Sequence, residues 1–212
     1  MKDKKEIFKE IDIHLLMDKK PSDYLSRLFE DEFVSKTYPF TMINDLKKIE
    51  QNRKYHPEGD VFTHTLMVVD EAASRREKSK DPRVFMWAAF LHDIGKAPTT
   101  RVTEGRVTSY NHEKFGSKMA YEFLKEFTDD DEFIKKVVAM VRWHMEALYV
   151  IKNMAFSSIG EMLKEVSLDE IALLNLCDRI GRGDMSDEKV RDEMKGIKMF
   201  VEKCKEYKGH KT

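Results

Sequence analysis

The chain has 212 residues, of which 41% are hydrophobic and 36% are charged, with few glycines and prolines. This composition is typical of one helix-rich globular unit with a sizeable core. The 38 Lys and Arg residues nearly balance the 39 Asp and Glu residues, so no global field favours nucleic acid or an acidic membrane surface. Any anionic substrate must therefore be recognised locally.

Targeting and membrane signals are missing from the sequence. No apolar run approaches the roughly 20 residues that cross a bilayer, and the amino terminus MKDKKEIFKE is too polar for a signal peptide. Cys177 and Cys204 lie in helical patterns without metal-ligand spacing. We expect a cytoplasmic protein with no membrane partner.

Hydrophobic periodicity predicts an all-α protein, a compact helical bundle with one short β-hairpin. Apolar residues recur at helical spacing in the segments 4–18, 22–35, 40–50, 130–147, 157–165, 168–182 and 187–207. Asp60 is expected to cap a further long helix, and Asn111 another. The run TTRVTEGRVTSY, rich in β-branched residues, predicts the hairpin near 100–110.

One more helix carries the most apolar run of the chain. Asp81 and Pro82 start it, and Gly95 and Pro98 are expected to stop it, which puts His92 and Asp93 in its last turn. We expect one structural unit in three parts: N-terminal helices at 1–55, a core at 56–185 and a C-terminal helix at 186–212.

Histidine and aspartate residues stand on the apolar faces of several predicted helices. His64 shares its face with aliphatic residues, His144 follows Val137 and Val141 at helical spacing, and Asp178 follows Ile171 and Leu174. A buried imidazole can be a paired core residue, but a buried carboxylate requires a cation or several donors. Together these residues predict a metal site.

Two features bear on the number of cations. Asp93 has two oxygens and could bridge two ions, while His112 stands in the first turn of its helix, where the dipole favours the neutral imidazole that metals require. A surface role for His112 stays open. Ligands of this kind suit Mn, Fe, Co, Ni, Mg or Zn, and the sequence does not choose among them.

The order of these residues resembles the HD superfamily of metal-dependent phosphohydrolases. His64 is followed by His92-Asp93 within LHDIGK and by Asp178 within LCDRIGR. The stretches YHPEGDVFTHTLMVVDEAA, AAFLHDIGKAPTT and EGRVTSYNHEKFG are also similar to the body and HD portion of bacterial tRNA nucleotidyltransferases, the CCA-adding enzymes. The nucleotidyltransferase head of those enzymes has no counterpart here, so nucleotide addition is not expected.

The resemblance implies a metal site built from His64, His92, Asp93 and Asp178, and His112 and His144 match the extra histidines of dinuclear members. One or two divalent ions are therefore expected, and two are favoured. The family activity implies hydrolysis of a phosphate ester by a metal-activated water, on a nucleotide, a cyclic or dinucleotide phosphodiester, or a phosphomonoester. The expected partner is a small phosphorylated substrate.

Asp93 and Lys96 are the predicted catalytic residues, because Lys96 follows the His-Asp pair closely enough to reach a bound phosphate. Lys96 could instead cap its helix. Arg182, one turn after Asp178, is predicted either to contact phosphate or to pin that aspartate. His56 could bind substrate or serve as a general acid, with loop structure as the alternative.

Two other interpretations stay open at this point. The chain could be an RNA-binding or scaffold module derived from a tRNA-processing enzyme, using a small basic patch of Lys47, Lys48, Arg53 and Lys54. Balanced charge predicts that such binding is weak and salt-sensitive. Alternatively, the metal could be structural, although a site with open coordination positions favours catalysis.

Overall fold

A computed structural model describes residues 3–53 and 56–209 and consists of helices and one hairpin. The helices before the hairpin are α1 Lys4–Met17, α2 Ser22–Leu28, α3 Glu32–Lys36, α4 Thr41–Asn44, α5 Val61–Ala73, α6 Pro82–Leu91 and α7 Lys96–Thr99. Those after it are α8 His112–Lys125, α9 Asp131–Trp143, α10 Glu146–Ile151, α11 Ile159–Glu165, α12 Leu168–Ile180 and α13 Asp187–Gly209. The predicted all-α class is confirmed.

Helix α6 forms the centre of the core. Every residue from Val84 to Leu91 is buried, and the helix packs against α5, α9, α1 and α12. A helix that is apolar on all sides must be surrounded by other helices, which explains this central place. Because α5, α9 and α12 all pack on α6, polar residues of these three helices can meet next to it.

The hairpin lies where the sequence predicts it. Strand β1 covers Thr100–Thr103 and β2 covers Arg106–Ser109, paired antiparallel with Val102 opposite Val107. Gly105, with a φ of 74°, supplies the left-handed turn. The hairpin joins α7 to α8 and thereby carries the chain from Asp93 to His112.

The predicted helix starts at Asp60 and Asp81 are confirmed. Asp60 accepts a hydrogen bond from the Thr63 amide, and Asp81 accepts one from the Val84 amide with Pro82 in the first helical position. Asn111 precedes α8 as predicted, but in the left-handed conformation and without a capping hydrogen bond from its side chain. Its predicted role as a side-chain cap is therefore wrong.

Several predicted helices are shorter than expected. The segment 22–35 is interrupted because Asp31 accepts hydrogen bonds from the amides of Phe33 and Val34 and starts a new helix there. The segment 40–50 contains α4 and a 3₁₀ turn, and 130–147 divides between α9 and α10. Helix α6 ends at Leu91, so His92 and Asp93 directly follow it, and Pro98 lies within α7.

Among the described residues, none of the helices has the length and apolar character needed to cross a membrane. Helix α13 packs on α12, α10 and α11. The division of the chain at 55/56 and 185/186 stays a prediction.

We expect Gly95→Ala to destabilise the protein by about 3 kcal/mol, through overpacking against the first turns of α8. A Cβ at Gly95 would lie 2.1 Å from the His112 carbonyl oxygen and 2.4 Å from the Gly116 amide nitrogen, both of them backbone atoms. Denaturant unfolding measures the change. Gly196→Ala is the matched control, because its Cβ would meet only Ile151 Cδ1 at 3.7 Å; equal stability of the two variants would contradict the prediction.

Candidate metal centre

The six predicted ligands converge on one cluster from separate elements. They are His64 on α5, His92 and Asp93 just after α6, His112 at the start of α8, His144 just after α9 and Asp178 on α12. The four histidines and Asp93 are buried, and the Asp178 side chain keeps 14% of its surface exposed. The structure thus brings together residues up to 114 positions apart in the sequence.

Asp93 stands between two groups of side chains, and each of its oxygens faces one group. Oδ2 lies 3.3 Å from His92 Nε2 and 3.8 Å from His64 Nε2. Oδ1 lies 3.3 Å from His112 Nε2 and 3.6 Å from His144 Nε2. We call the Oδ2 side the first cluster, which includes His64, His92 and Asp178, and the Oδ1 side the second cluster, which includes His112 and His144.

Three imidazoles are held in one tautomer by the main chain. The Nδ1 atoms of His92, His112 and His144 lie 2.8, 2.8 and 2.7 Å from the carbonyl oxygens of Ala89, Ser109 and Val141, each three residues earlier. A carbonyl oxygen can only accept, so Nδ1 carries the hydrogen in all three rings. Each neutral ring therefore presents the lone pair of Nε2 to the centre.

These lone pairs lie unusually close to other acceptors. His112 Nε2 and His144 Nε2 are 3.1 Å apart. His64 Nε2 lies 3.1 Å from Asp178 Oδ1, a contact that is a hydrogen bond when the ring proton is on Nε2 and a close approach of two acceptors when it is on Nδ1. His92 Nε2 is buried without a hydrogen-bond partner. Facing lone pairs repel unless a proton or a cation lies between them, so the donor set fits divalent cations.

Three groups within the described residues have a spacing that could hold a metal ion. They are His64, His92 and Asp93; Asp93, His112 and His144; and His56, Glu58 and His64. The first two correspond to the first and second clusters. Imidazole and carboxylate ligands of this kind suit Zn, Mn, Fe, Co and Ni.

Both candidate carboxylates are held in the charged form. Burial alone would raise the pKa of Asp93, but the Lys96 ammonium, 2.7 Å from Oδ2, and the neighbouring His92 keep that pKa well below its usual value. Burial likewise opposes ionisation of Asp178, and its contacts with His64 and Arg182 lower the pKa of that carboxyl. Two anionic ligands are therefore present near neutral pH.

The pKa values of the imidazoles move in different directions. Burial lowers the pKa of His144, which keeps its ring neutral as a metal ligand must be. For His92, burial also opposes the charged form, but the neighbouring Asp93 and Asp178 outweigh it and raise the pKa. The same two carboxylates that raise this pKa would share a bound cation with His92 Nε2.

Lys96, Arg182 and His56 lie around the first cluster. Lys96 Nζ donates to Gln51 Oε1 at 2.7 Å and begins α7, so it does not cap α6. Arg182 Nη2 is 3.9 Å from Asp178 Oδ1. The side chains of Lys96, His56 and Arg182 are 13%, 15% and 24% exposed, so the centre opens to solvent on this side.

Two polar residues of the centre were not predicted from the sequence. Glu58 has a 2% exposed side chain, and its Oε1 lies 3.0 Å from His64 Nδ1 and 2.9 Å from His56 Nδ1. Gln51 is buried and accepts from Lys96. Both residues precede α5 in irregular chain, where no hydrophobic periodicity marks a buried position. The sequence signal that could have indicated Glu58 is its place two residues after His56 in HPEGD.

Part of the basic patch is engaged in internal contacts. Lys47 donates to the Phe29 carbonyl and lies 5.1 Å from the centre of the Phe62 ring, and Lys48 pairs with Asp45 at 2.8 Å. Lys54 lies outside the described residues.

A surface cavity of about 440 Å³ lies between α1, α2 and α3. None of the residues of the first and second clusters lines it, so the candidate site is identified by the converging side chains and not by this cavity.

Comparison with known proteins places these residues in a family. The sequence matches the HD domain over residues 61–183. The Multifunctional CCA protein of Actinobacillus pleuropneumoniae serotype 5b is 34% identical over 97 residues, 44% of this chain and 23% of that protein. The protein of the same name from Halorhodospira halophila is 34% identical over 105 residues, 50% of this chain and 24% of that protein.

A third Multifunctional CCA protein, from Paraburkholderia phytofirmans, is 38% identical over 84 residues, 40% of this chain and 19% of that protein. The chain therefore spans about a quarter or less of the length of these relatives. The HD match covers more than half of the chain and includes His64, the His92-Asp93 pair and Asp178. The chain belongs to the HD domain family.

Proposed function

We propose that this protein is a dinuclear metal-dependent phosphohydrolase acting on phosphate esters of nucleotides. The observation that carries the proposal is the 3.1 Å separation of His112 Nε2 and His144 Nε2, since both Nδ1 atoms donate to carbonyl oxygens. Two neutral rings in this tautomer repel each other unless a cation lies between them. The HD domain itself suggests metal-dependent phosphohydrolase activity.

The proposed ligand sets share one carboxylate. His64, His92, Asp178 and Asp93 Oδ2 would hold one ion, and His112, His144 and Asp93 Oδ1 would hold the other. Ligands at right angles with bonds of about 2.1 Å are about 3.0 Å apart. The separations between neighbouring candidate donors are 3.1 to 3.9 Å, so they range from about that spacing to about 0.9 Å above it.

Asp93 is proposed as the central catalytic residue and Lys96 as its partner. When bound, divalent cations would supply a hydroxide nucleophile near neutral pH and Lewis acidity toward the phosphoryl oxygens. Lys96, held between Asp93 and Gln51, places an ammonium where negative charge develops on the phosphoryl group. Arg182, whose side chain is 24% exposed and whose Nη2 lies 3.9 Å from Asp178 Oδ1, is proposed to bind a second phosphate oxygen through its guanidinium end.

His56 is proposed to contact the substrate by accepting a hydrogen bond. Its Nδ1 is 2.9 Å from a Glu58 oxygen, which can only accept, and burial lowers the pKa of the ring. In this neutral tautomer the free Nε2 is an acceptor, and it suits a substrate hydroxyl better than an anionic phosphate oxygen. A ribose hydroxyl is one such group, which supports a nucleotide substrate.

A substrate panel tests the proposal. Chelator-treated protein would be assayed with added Mn, Co, Ni or Mg against bis-p-nitrophenyl phosphate, 2′,3′-cyclic AMP, nucleoside monophosphates and diadenosine tetraphosphate. We expect metal-dependent turnover of at least one nucleotide substrate. Binding of metal without turnover of any of them would favour a structural metal and a scaffold or RNA-binding role.

We expect Lys96→Gln to lower kcat by about 100-fold with the bound metal content unchanged. The substitution removes the ammonium 2.7 Å from Asp93 but none of the proposed metal ligands. Steady-state kinetics with metal analysis of the same sample measures both quantities. Lys164→Gln, which removes a surface lysine of α11 paired with Glu161, is the control; equal rates for the two variants would show that Lys96 only neutralises Asp93.

A further inference from the structure

We propose that Glu58, which lies outside the matched HD region, is a positioning residue that fixes the His64 ring with Nε2 facing the first cluster. This inference rests on the proposed function of the cluster as a metal centre. Glu58 is separated from His64 by the start of α5, and its carboxylate folds back under the imidazole with 2% of the side chain exposed. Its Oε1 lies 3.0 Å from His64 Nδ1.

The place of His64 in its helix explains why a carboxylate is needed. His92 and His144 stand at the C-terminal ends of α6 and α9, where carbonyl oxygens lack partners within the helix and accept from Nδ1. His64 stands in the first turns of α5, where the unpaired backbone groups are N–H donors. A ring nitrogen that must donate there requires an acceptor from outside the helix. Glu58 Oε1 lies at ion-pair distance, 3.0 Å from Nδ1, although the angle of this contact falls outside hydrogen-bond geometry.

A carboxylate next to Nδ1 also affects the ring more strongly than a main-chain carbonyl does, because it carries a negative charge. The Nδ1 atoms of His92, His112 and His144 face main-chain carbonyls at 2.7 to 2.8 Å. His64 Nδ1 instead faces a carboxylate oxygen at 3.0 Å, whereas the carboxylate nearest His112 Nδ1, that of Glu113, is 4.0 Å away. Negative charge at Nδ1 makes Nε2 a better electron donor and fixes the ring orientation. We infer that Glu58 strengthens His64, the one proposed ligand that precedes the His-Asp pair in the sequence.

Glu58 also connects two proposed ligands. Its Oε2 accepts a hydrogen bond from the Gly183 amide at 3.1 Å, in the turn that follows the Asp178 helix. A Cβ at Gly183 would lie 3.1 Å from Pro57 and 3.3 Å from the Glu58 amide nitrogen, so the two segments are in close contact. One carboxylate therefore sets the positions of His64 and the end of α12 together.

The test is metal affinity in Glu58→Gln, a change that keeps the size of the side chain and removes its charge. Competition between the protein and a chromophoric chelator for Zn²⁺ gives the affinity, and side-chain ¹⁵N shifts of the Zn²⁺-loaded protein report which His64 nitrogen binds metal. We expect one bound ion to be weakened by about 10- to 100-fold, the range for a lost partner of a metal ligand. We also expect a changed His64 Nδ1 shift.

Glu146→Gln is the matched control, because Glu146 is an equally buried carboxylate that accepts a hydrogen bond from the Ser158 amide and contacts no proposed ligand. If Glu58→Gln does not fold, Glu58→Asp keeps the charge but withdraws it by about 1.5 Å, one carbon–carbon bond, and the same weakening is expected. Unchanged affinity and unchanged His64 shifts would overturn the role of Glu58. A wild-type protein that binds no Zn²⁺ would overturn the metal centre itself.

Discussion

Asp93→Asn is expected to abolish hydrolysis, with a loss of kcat of roughly a thousand-fold or more. Metal ions contribute several kcal/mol to stabilising the transition state, and each 1.36 kcal/mol is a tenfold change in rate. The substitution keeps the shape of Asp93 but removes the charge that faces both clusters, within 3.3 Å of His92 Nε2 on one side and His112 Nε2 on the other. Both ions should therefore be lost or weakened together.

Initial rates and metal content of purified Asp93→Asn protein measure this effect. Asp129→Asn, the same chemical change at an exposed aspartate paired with Lys125, should retain both activity and metal. An Asp93→Asn protein that keeps one tightly bound ion would show that Asp93 does not bridge the two clusters. Retention of full activity would exclude Asp93 from the catalytic centre.

Removal of metal is expected to lower Tm by about 8–16 °C. An ion present at about a thousand times its Kd stabilises the folded protein by about 4 kcal/mol, and each kcal/mol shifts Tm by about 2–4 °C in a chain of this size. The physical cause is the close approach of acceptors, such as the 3.1 Å between His112 Nε2 and His144 Nε2, which a cation relieves.

Thermal unfolding with and without a chelator measures the shift. Asp93→Asn serves as the control, because a protein that has lost its ions should respond little to the chelator. A wild-type Tm that is insensitive to chelation, in protein shown to contain metal, would mean that the metal is held weakly or at the surface.

The proposed ligands could be predicted because they interrupt apolar patterns. His144 and Asp178 stand on helix faces that are otherwise aliphatic, and a polar group in that place is informative since burial without a partner is costly. The structure brings both side chains to the predicted His-Asp pair: His144 Nε2 lies 3.6 Å from Asp93 Oδ1, and Asp178 Oδ1 lies 3.9 Å from His92 Nε2. Their metal-binding roles stay proposals.

Other features depend on tertiary contacts that a sequence pattern does not contain. Glu58 and Gln51 lie in irregular chain, and their burial follows from the turn at Gly183 and from Lys96. The helix breaks at Asp31 because the carboxylate of this residue accepts hydrogen bonds from the amides of Phe33 and Val34. These side-chain hydrogen bonds compete with continuation of the preceding helix and start a new one. Propensity alone predicts one helix across that segment.

The C-terminal ends of α6 and α9 determine how His92 and His144 are oriented. Both helices were expected to continue through their histidine, and both end one residue before it, at Leu91 and Trp143. The unpaired carbonyls of each last turn are then free to accept from the histidine Nδ1. The boundary itself thus orients the proposed ligand.

The dinuclear centre and its activity are tested together by the rate of nucleotide hydrolysis as metal is added back to metal-free protein, from zero to three equivalents per chain. We expect no turnover without metal and a rate that reaches its maximum at two equivalents, with no recovery in Asp93→Asn. Full turnover by the metal-free protein, or two bound ions with no turnover of any phosphate ester, would contradict this expectation.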